Sequence, residues 1–346
     1  MSASTIAGRL DELAAELDSW LRVFLRKCGP ETARFEAMLT YPLGWTDEQL
    51  QQLDIAAPSG KRLRPAFTML VCEAACGDAR RALPAAAAVE LIHNFSLVHD
   101  DIQDHSELRR NRPSVWSTWG PAQAINVGDC LFALAELAVL SGETTDSRRL
   151  VDASRAINRA CIKLVEGQFL DIELQSSGMA TLESYQQMVE GKTGALIECC
   201  ARLGAIIAGA SPQTIRLFGD FGRALGAAFQ YQDDELGMWG DPRETGKSAD
   251  SDLRSRKPSL PSVLALSERG AAADQFRAIF LRSAAMTDSE AARARSCLAE
   301  LRIQERVVSL VADEYRQALA TLAEIGPGAD TRALEDLIAL MAERRG

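Results

Sequence analysis

An all-α fold is what this 346-residue sequence predicts, from three observations. Apolar residues recur at three- and four-residue intervals over long stretches, which is the helical period. Proline is sparse, with 12 residues, and the Gly/Pro breaks lie far apart. Runs of alternating β-branched residues, the mark of strands, are missing. With 47% hydrophobic and 25% charged residues, the composition is ordinary for a globular protein. Length alone allows one large core or two medium domains. No break has the length or composition of an interdomain linker, and no repeat period is evident, so a single domain over 1–346 is expected.

Residues 1–30 read as an amphipathic N-terminal helix carrying Asp11, Glu12, Glu16 and Asp18. They lack the short apolar core of a secretion signal. After breaks at Gly29-Pro30 and Pro58-Ser59-Gly60, helical periodicity runs from Leu63 to Ala75 and from Ala79 to Glu107. Beyond Arg112-Pro113 it resumes from Leu150 to Gln175, Leu182 to Ala208 and Pro212 to Leu236. Several of these stretches exceed 20 residues with broad apolar faces, which suits helices buried on most sides in a large bundle. The segment 239–261 is the most polar and irregular, and is expected to be a mobile loop.

Net charge is −10, from 48 acidic and 38 basic residues. No Lys/Arg-rich block stands out, so nucleic acid is not an expected partner. No apolar stretch approaches ~20 residues, so no membrane-spanning helix is expected. Three histidines and eight scattered cysteines, with Cys199 and Cys200 adjacent, show no zinc-type spacing. Reduced, buried thiols in a cytoplasmic protein are the expectation.

Two acidic clusters carry the chemistry. The first reads Leu97-Val98-His99-Asp100-Asp101-Ile102-Gln103-Asp104. Helix positions four apart lie about 40° apart around the axis and roughly 6 Å along it. Asp100 and Asp104 therefore share a face, with Asp101 at its side. Like charges so spaced destabilise an isolated helix, and make sense if divalent cations sit between them. Magnesium takes one or two carboxylates and fills its shell with water and substrate phosphates. The second cluster, Phe229-Gln230-Tyr231-Gln232-Asp233-Asp234-Glu235, ends a strongly apolar run and places Gln230, Asp233 and Asp234 on one side. Acids at a helix C-terminus oppose the macrodipole, which again points to a bound cation.

Basic residues accompany the acids. Lys61 and Arg64 lie near the start of a helix, where the backbone favours anions. Arg109 and Arg110 follow the first cluster, and guanidinium groups bind phosphate oxygens in pairs. Lys192-Thr193 and Lys247, each after a glycine, are further phosphate candidates. His93, His99 and His105 are spaced six apart, so they cannot share one metal site. His93 lies on the Asp100 face and is the candidate phosphate contact; His99 and His105 are expected to pack or face solvent.

Taken together, the segments GKRLRP (Gly60–Pro65), ELIHNFSLVHDDIQD (Glu90–Asp104), RRNRP (Arg109–Pro113), Gly128-Asp129, GQFLD (Gly167–Asp171), Lys192-Thr193 and FQYQDD (Phe229–Asp234) resemble the trans-isoprenyl diphosphate synthase (polyprenyl synthetase) family. The resemblance covers Gly60 to about Pro261. It implies a bundle of long helices around a deep central cavity, usually as a homodimer. By that likeness Asp100, Asp104 and Asp233 hold about three magnesium ions on an allylic diphosphate, with Asp101 and Asp234 completing the catalytic acids. Arg109, Lys192 and Lys247 grip the same diphosphate, and Thr193 and Gln230 are also substrate-binding. Lys61, Arg64, His93 and Arg110 hold isopentenyl diphosphate. Cations around the departing diphosphate favour ionisation of the allylic C–O bond. The isopentenyl double bond then attacks the carbocation, a proton passes to the released diphosphate, and apolar walls keep water out.

This sequence departs from the family pattern at three places. Gly237 replaces the usual third aspartate of the second motif, giving a DDxxG form similar to some bacterial geranylgeranyl diphosphate synthases; Asp241 is a candidate replacement. Asn111 stands where glycine is usual and Trp116 where histidine is common. Phe95, five residues before Asp100, is the candidate cavity floor, and with the two-residue spacing inside the first motif resembles enzymes making geranylgeranyl diphosphate. A terpene cyclase on the same fold would not need Lys61, Arg64 and His93. A non-catalytic subunit of a heteromeric synthase commonly loses motif acids, whereas five of six remain here.

Overall fold

The structure is a computed structural model that describes residues 3–54, 57, 60, 62–142, 146–177, 180–240, 251–282 and 284–343. Helices take up 79% of it, with only two short strands, as the all-α expectation requires. Contacts fall into two compact units. The first comprises Met1–Asn158, Cys199–Arg216 and Pro327–Leu334; the second comprises Arg159–Glu198, Leu217–Gly326 and Glu335–Gly346.

In the first unit, α1 (Ala3–Cys28) buries Ile6, Leu10, Leu13, Leu17, Leu21 and Phe24, an i, i+3/i+4 stripe. The short α2 (Ala33–Thr40) leads by way of the 41–62 segment to α3 (Leu63–Cys76), which ends at Gly77 with φ +77°. That left-handed cap lets the Gly77 amide donate to the Glu73 carbonyl, and glycine adopts it without steric strain. A 3-10 turn, Ala79–Ala82, then feeds α4 (Leu83–Gln103), entered at proline. Ala85 to Ala88 are all buried, and these small side chains let α4 lie close to α3 and to α6 (Pro121–Leu140). The helix expected to reach Glu107 stops at Gln103, because His105 takes φ +52°. A hairpin follows, Leu108–Arg109 paired with Arg112–Pro113, and then the one-turn α5 (Val115–Trp119). Arg110 and Asn111 form the turn with φ of +53° and +60°. Both central residues of a type I′ turn need positive φ, and asparagine tolerates it better than most. That explains how Asn111 serves where glycine is usual.

The buried Arg62 organises this unit. It caps α3 in a left-handed conformation with φ +48°, and its side chain is 3% exposed. Nη1 donates to the equally buried Glu90 of α4, Nε to Asp18 of α1 at 3.2 Å, and Nη2 to the Leu43 carbonyl at 2.9 Å. Asn94 donates to the same Glu90 carboxylate at 2.6 Å. One guanidinium thus fixes three segments, and every charge in the pair is hydrogen-bonded.

By length and composition α6 could cross a membrane, with a mean hydropathy of 1.5 over its best window, contrary to the expectation that no stretch would. Asp129 and Glu136 interrupt the apolar run, but alanine, leucine and valine dominate its average. Ala124, Val127, Leu131, Leu134, Ala135 and Ala138 of this helix are buried within the protein.

The long α7 (Ser147–Ser177) passes from the first unit into the second, where α8 (Leu182–Val189) follows, capped by a reciprocal Thr181–Ser184 box. The expected helix over Leu182–Ala208 is interrupted by a π-turn at Glu190–Gly194 before α9 (Ala195–Ala208). α10 (Pro212–Trp239) is 28 residues long. The mobile loop expected at 239–261 needs correction outside 241–250, which lie beyond the described residues. Trp239 closes α10, Ser251–Arg254 forms α11, and Leu260 and Pro261 open α12 (Leu260–Ser267). The polarity that suggested a loop is held by specific partners: Arg256 donates to the carbonyls of Ile279, Phe280 and Ala284. α13 (Ala271–Phe280), α14 (Asp288–Glu300), α15 (Ile303–Ile325) and α16 (Arg332–Ala342) complete the chain.

Glu90→Ala leaves the Arg62 guanidinium buried without its main counter-charge, and is expected to destabilise the protein by about 3 kcal/mol. Denaturant unfolding followed by circular dichroism measures this loss directly.

Candidate active site

In the first cluster the helix sorts the acids by depth. Asp101 is 3% exposed, whereas Asp100 is partly exposed and Asp104, capping α4, is exposed. The hairpin turns Arg109 back so that its Nε and Nη2 donate to Asp101 Oδ1 at 3.0 and 2.5 Å. Burial pushes the Asp101 carboxyl up, and Arg109 pulls against that. Asp101 therefore ties helix to hairpin, while Asp100 and Asp104 stand one turn apart on the open side. Arg109, expected as a diphosphate ligand, has two of its nitrogens engaged this way.

Beside this lies a group of cations. Arg64, in the first turn of α3, brings Nη1 to 3.5 Å from His93 Nε2. Gly60, with φ +94°, passes over the Arg110 guanidinium, and a Cβ there would lie 2.8 Å from Nη2. Burial, then the nearby Arg64, Arg110, Arg109 and Arg62, holds the His93 pKa well below its usual value. Arg110 is likewise depressed, first by burial and then by Arg62, Arg109 and Arg64, against the pull of Glu90. His93 and Arg110, both disfavoured in their charged forms by burial and by neighbouring guanidinium groups, form a site that an anion relieves. Lys61 falls outside the described residues. His99 instead packs edge-on against Phe95, with ring centroids 4.9 Å apart, and points Nε2 at the Ile125 carbonyl. Gly128 makes room for it, since a Cβ there would sit 2.1 Å from Nε2. His105 lies exposed beside Trp116, whose indole donates to the Ser106 carbonyl at 2.9 Å. Trp116 is thus a clamp on the hairpin.

The second cluster repeats the sorting. Asp233 is exposed, and Asp234 is 2% exposed. Asp234 accepts from the Tyr185 hydroxyl at 2.5 Å, the Leu260 amide at 2.8 Å and Gln230 Nε2 at 2.9 Å. Burial raises the Asp234 carboxyl, and burial beside Asp234 raises the Tyr185 phenol well above its usual value, so Tyr185 stays a donor. Gln230 also accepts from Thr193 Oγ1 at 2.7 Å. Gln230 and Thr193, named as substrate ligands, are joined to each other and to Asp234.

Lys192 is placed by backbone contact. Gly167 of α7 and Gly191 of the π-turn meet directly, and a Cβ on Gly167 would fall 2.1 Å from the Lys192 nitrogen. The contact delivers Lys192 Nζ to Asp171 Oδ2 at 2.5 Å. Asp171 is 2% exposed, and its Oδ1 has no hydrogen-bond partner. Lys257 adds a second ammonium: burial opposes its charge, but Asp234, Asp252, Asp171 and Asp233 outweigh this and raise its pKa. Lys247 and Asp241 fall outside the described residues.

Arg62, Tyr185, Asp171 and Lys257 carry weight that the sequence reading did not give them. Arg62 and Asp171 stood inside the quoted segments GKRLRP and GQFLD, which was a usable signal. Tyr185 gave none, because its partner lies 49 residues away.

Taken one cluster at a time, the donors fit a divalent cation. The open acids offer hard oxygen ligands, and the orphaned Asp171 Oδ1 is the kind of buried atom that a bound cation or its water satisfies. Among the described residues no three acidic, histidine or cysteine side chains enclose an ion unaided. Magnesium commonly keeps waters and substrate phosphates in its shell rather than an all-protein cage.

The sequence model of the polyprenyl synthetase family matches residues 47–299. A geranylgeranyl diphosphate synthase of Mycobacterium tuberculosis is 41% identical over 320 residues, covering 90% of each chain. A (2E,6E)-farnesyl diphosphate synthase of the same species is 42% identical over 241 residues, covering 70% of this chain and 66% of the other. A polyprenyl synthetase structure from Streptomyces coelicolor A3(2) superposes with a TM-score of 0.88 at 35% identity, covering 98% of both chains. The chain belongs to the polyprenyl synthetase family.

Because His93 binds its proton more weakly folded than unfolded, it lowers stability as pH falls. Its effect is absent above the unfolded value of about 6.5 and grows below it. Thermal melts between pH 5 and 7.5 are expected to show a steeper acid-side loss for the wild type than for His93→Gln.

Proposed function

We propose that this prenyltransferase condenses isopentenyl diphosphate with an allylic diphosphate to give a short-chain trans-prenyl diphosphate, with geranylgeranyl diphosphate as the main product. The observation that carries the reading is the cation group of Arg64, Arg110 and His93 beside an open pair of acids. One half suits a bare diphosphate, and the other suits a diphosphate that arrives with metal.

On this reading Arg64, His93, Arg110 and Lys61 receive isopentenyl diphosphate, with His93 neutral and donating one ring N–H. Asp100, Asp104 and Asp233 hold about three magnesium ions, and Arg109, Lys192 and Lys247 contact the allylic diphosphate. Bound magnesium supplies charge neutralisation for the leaving diphosphate. Lys192, held by Asp171, keeps protons free to donate, since an ammonium carries three. Asp101 and Asp234 keep these groups in place without meeting substrate. The family match spans residues of both units, which supports one functional domain.

The reading includes a homodimer. Ile125, Phe132, Leu137 and Leu140 of α6 are exposed, a larger apolar display than an isolated surface helix needs, and this supports an apolar partner such as a second copy. It also includes a reducing cytoplasmic setting, which suits eight cysteines held as thiols rather than disulfides.

Purified protein incubated with magnesium, isopentenyl diphosphate and each allylic primer tests the function. Elongated prenyl diphosphates are expected. Hydrocarbon or alcohol from a single prenyl diphosphate would indicate a cyclase, and no product would indicate a non-catalytic subunit.

Phe95 packs against His99 and, at 5.5 Å between centroids, against Phe132. If this aromatic group limits chain growth, Phe95→Ala lengthens the product by at least one isoprene unit. Chromatography of the dephosphorylated products decides it, and an unchanged length distribution removes Phe95 from the product-determining wall.

A further inference from the structure

The aspartates of the two clusters differ only at the last position of the motif. In the first, Asp104 follows Asp100 by four residues on the same open face. In the second, the residue four beyond Asp233 is Gly237, buried within α10. Glycine is the poorest helix former except proline, so its place inside a long helix calls for a steric reason. The structure gives one. A Cβ at Gly237 would lie 2.5 Å from Asp252 Oδ2 and 3.0 Å from its Cγ. The Asp252 carboxylate therefore occupies the volume that a side chain at 237 would fill.

Asp252 is delivered there by a well-fixed turn. It is 8% exposed, and the neighbouring Leu253 is fully buried. Its carbonyl accepts from the Lys257 amide at 3.0 Å and the Ser255 hydroxyl at 3.3 Å. Arg256, with φ +57°, anchors the same turn to three backbone carbonyls. The charge at this place is also shared: Asp252, Asp233, Asp234 and Asp171 all act on the Lys257 ammonium. Asp171 adds an independent sign of a ligand, since its buried Oδ1 lacks a partner.

We propose that Asp252 supplies the carboxylate that position 237 lacks, and that with Asp233 it holds the divalent cation of the second cluster. The proposal rests on the function inferred above. It makes the glycine a fitted part of the site, with the third acid contributed from α11.

Calorimetric titration with magnesium in the presence of inorganic pyrophosphate, without turnover, separates the possibilities. Asp252→Asn is expected to weaken magnesium uptake about tenfold, the lower end for loss of a supporting ligand. The double variant Gly237→Asp/Asp252→Gly moves the carboxylate back to the helix, and is expected to recover affinity to within about threefold. Circular dichroism confirms that each variant is folded. Were Asp252 only a counter-ion to Lys257, Asp252→Asn would strengthen pyrophosphate binding in EDTA and leave magnesium affinity unchanged. That result, or a folded double variant without recovery, overturns the proposal. A wild-type protein that takes up no magnesium with pyrophosphate overturns both it and the function on which it rests.

Discussion

Each acidic cluster depends on a buried carboxylate set one residue after a more open one. Buried acids are unfavourable unless their oxygens are hydrogen-bonded, and here both are. Asp101 takes two bonds from Arg109, and Asp234 takes three from Tyr185, Gln230 and Leu260. Those bonds fix the rotation of α4 and α10 about their own axes. The outer acids, Asp100, Asp104 and Asp233, are then held outward although each would gain by turning away from its neighbours. The inner acids determine where the outer ones stand.

The cations obey the same economy. Arg62 has its charge matched by Glu90 and Asp18, so it is structural. Arg110 and His93 are partly stripped of water and surrounded by like charge, which is unfavourable until an anion arrives. Lys192 lies between these extremes, with one carboxylate partner and protons to spare. Sorting basic residues by how fully their charge is matched thus separates framework from binding groups, where a count of basic residues cannot.

Much of this was legible in the sequence, because it depends on local spacing. The long helices follow from apolar periodicity, and the shared face of Asp100 and Asp104 follows from 3.6 residues per turn. The rest depends on partners far apart in the chain. The hairpin of two-residue strands is too short to leave a period, so the return of Arg109 to Asp101 was hidden. Lys192 meets Asp171 only because Gly167 and Gly191 touch. The turn at 251–259 read as loop because it is polar, yet Arg256 and Lys257 have carbonyl and carboxylate partners that sequence spacing does not reveal. Asp241 was the candidate to replace the missing acid by proximity in sequence; it is Asp252, 15 residues beyond Gly237, whose carboxylate lies against that glycine.

The central claim is the division of labour between outer and inner acids, and the pair Asp100→Asn and Asp101→Asn tests it most directly. Magnesium affinity in inorganic pyrophosphate and the thermal midpoint without ligand are measured for both. The account predicts that Asp100→Asn loses magnesium affinity by tenfold or more and melts like the wild type, while Asp101→Asn melts several degrees lower. An Asp101→Asn protein as stable as the wild type, or an Asp100→Asn protein with unchanged magnesium affinity, would contradict it.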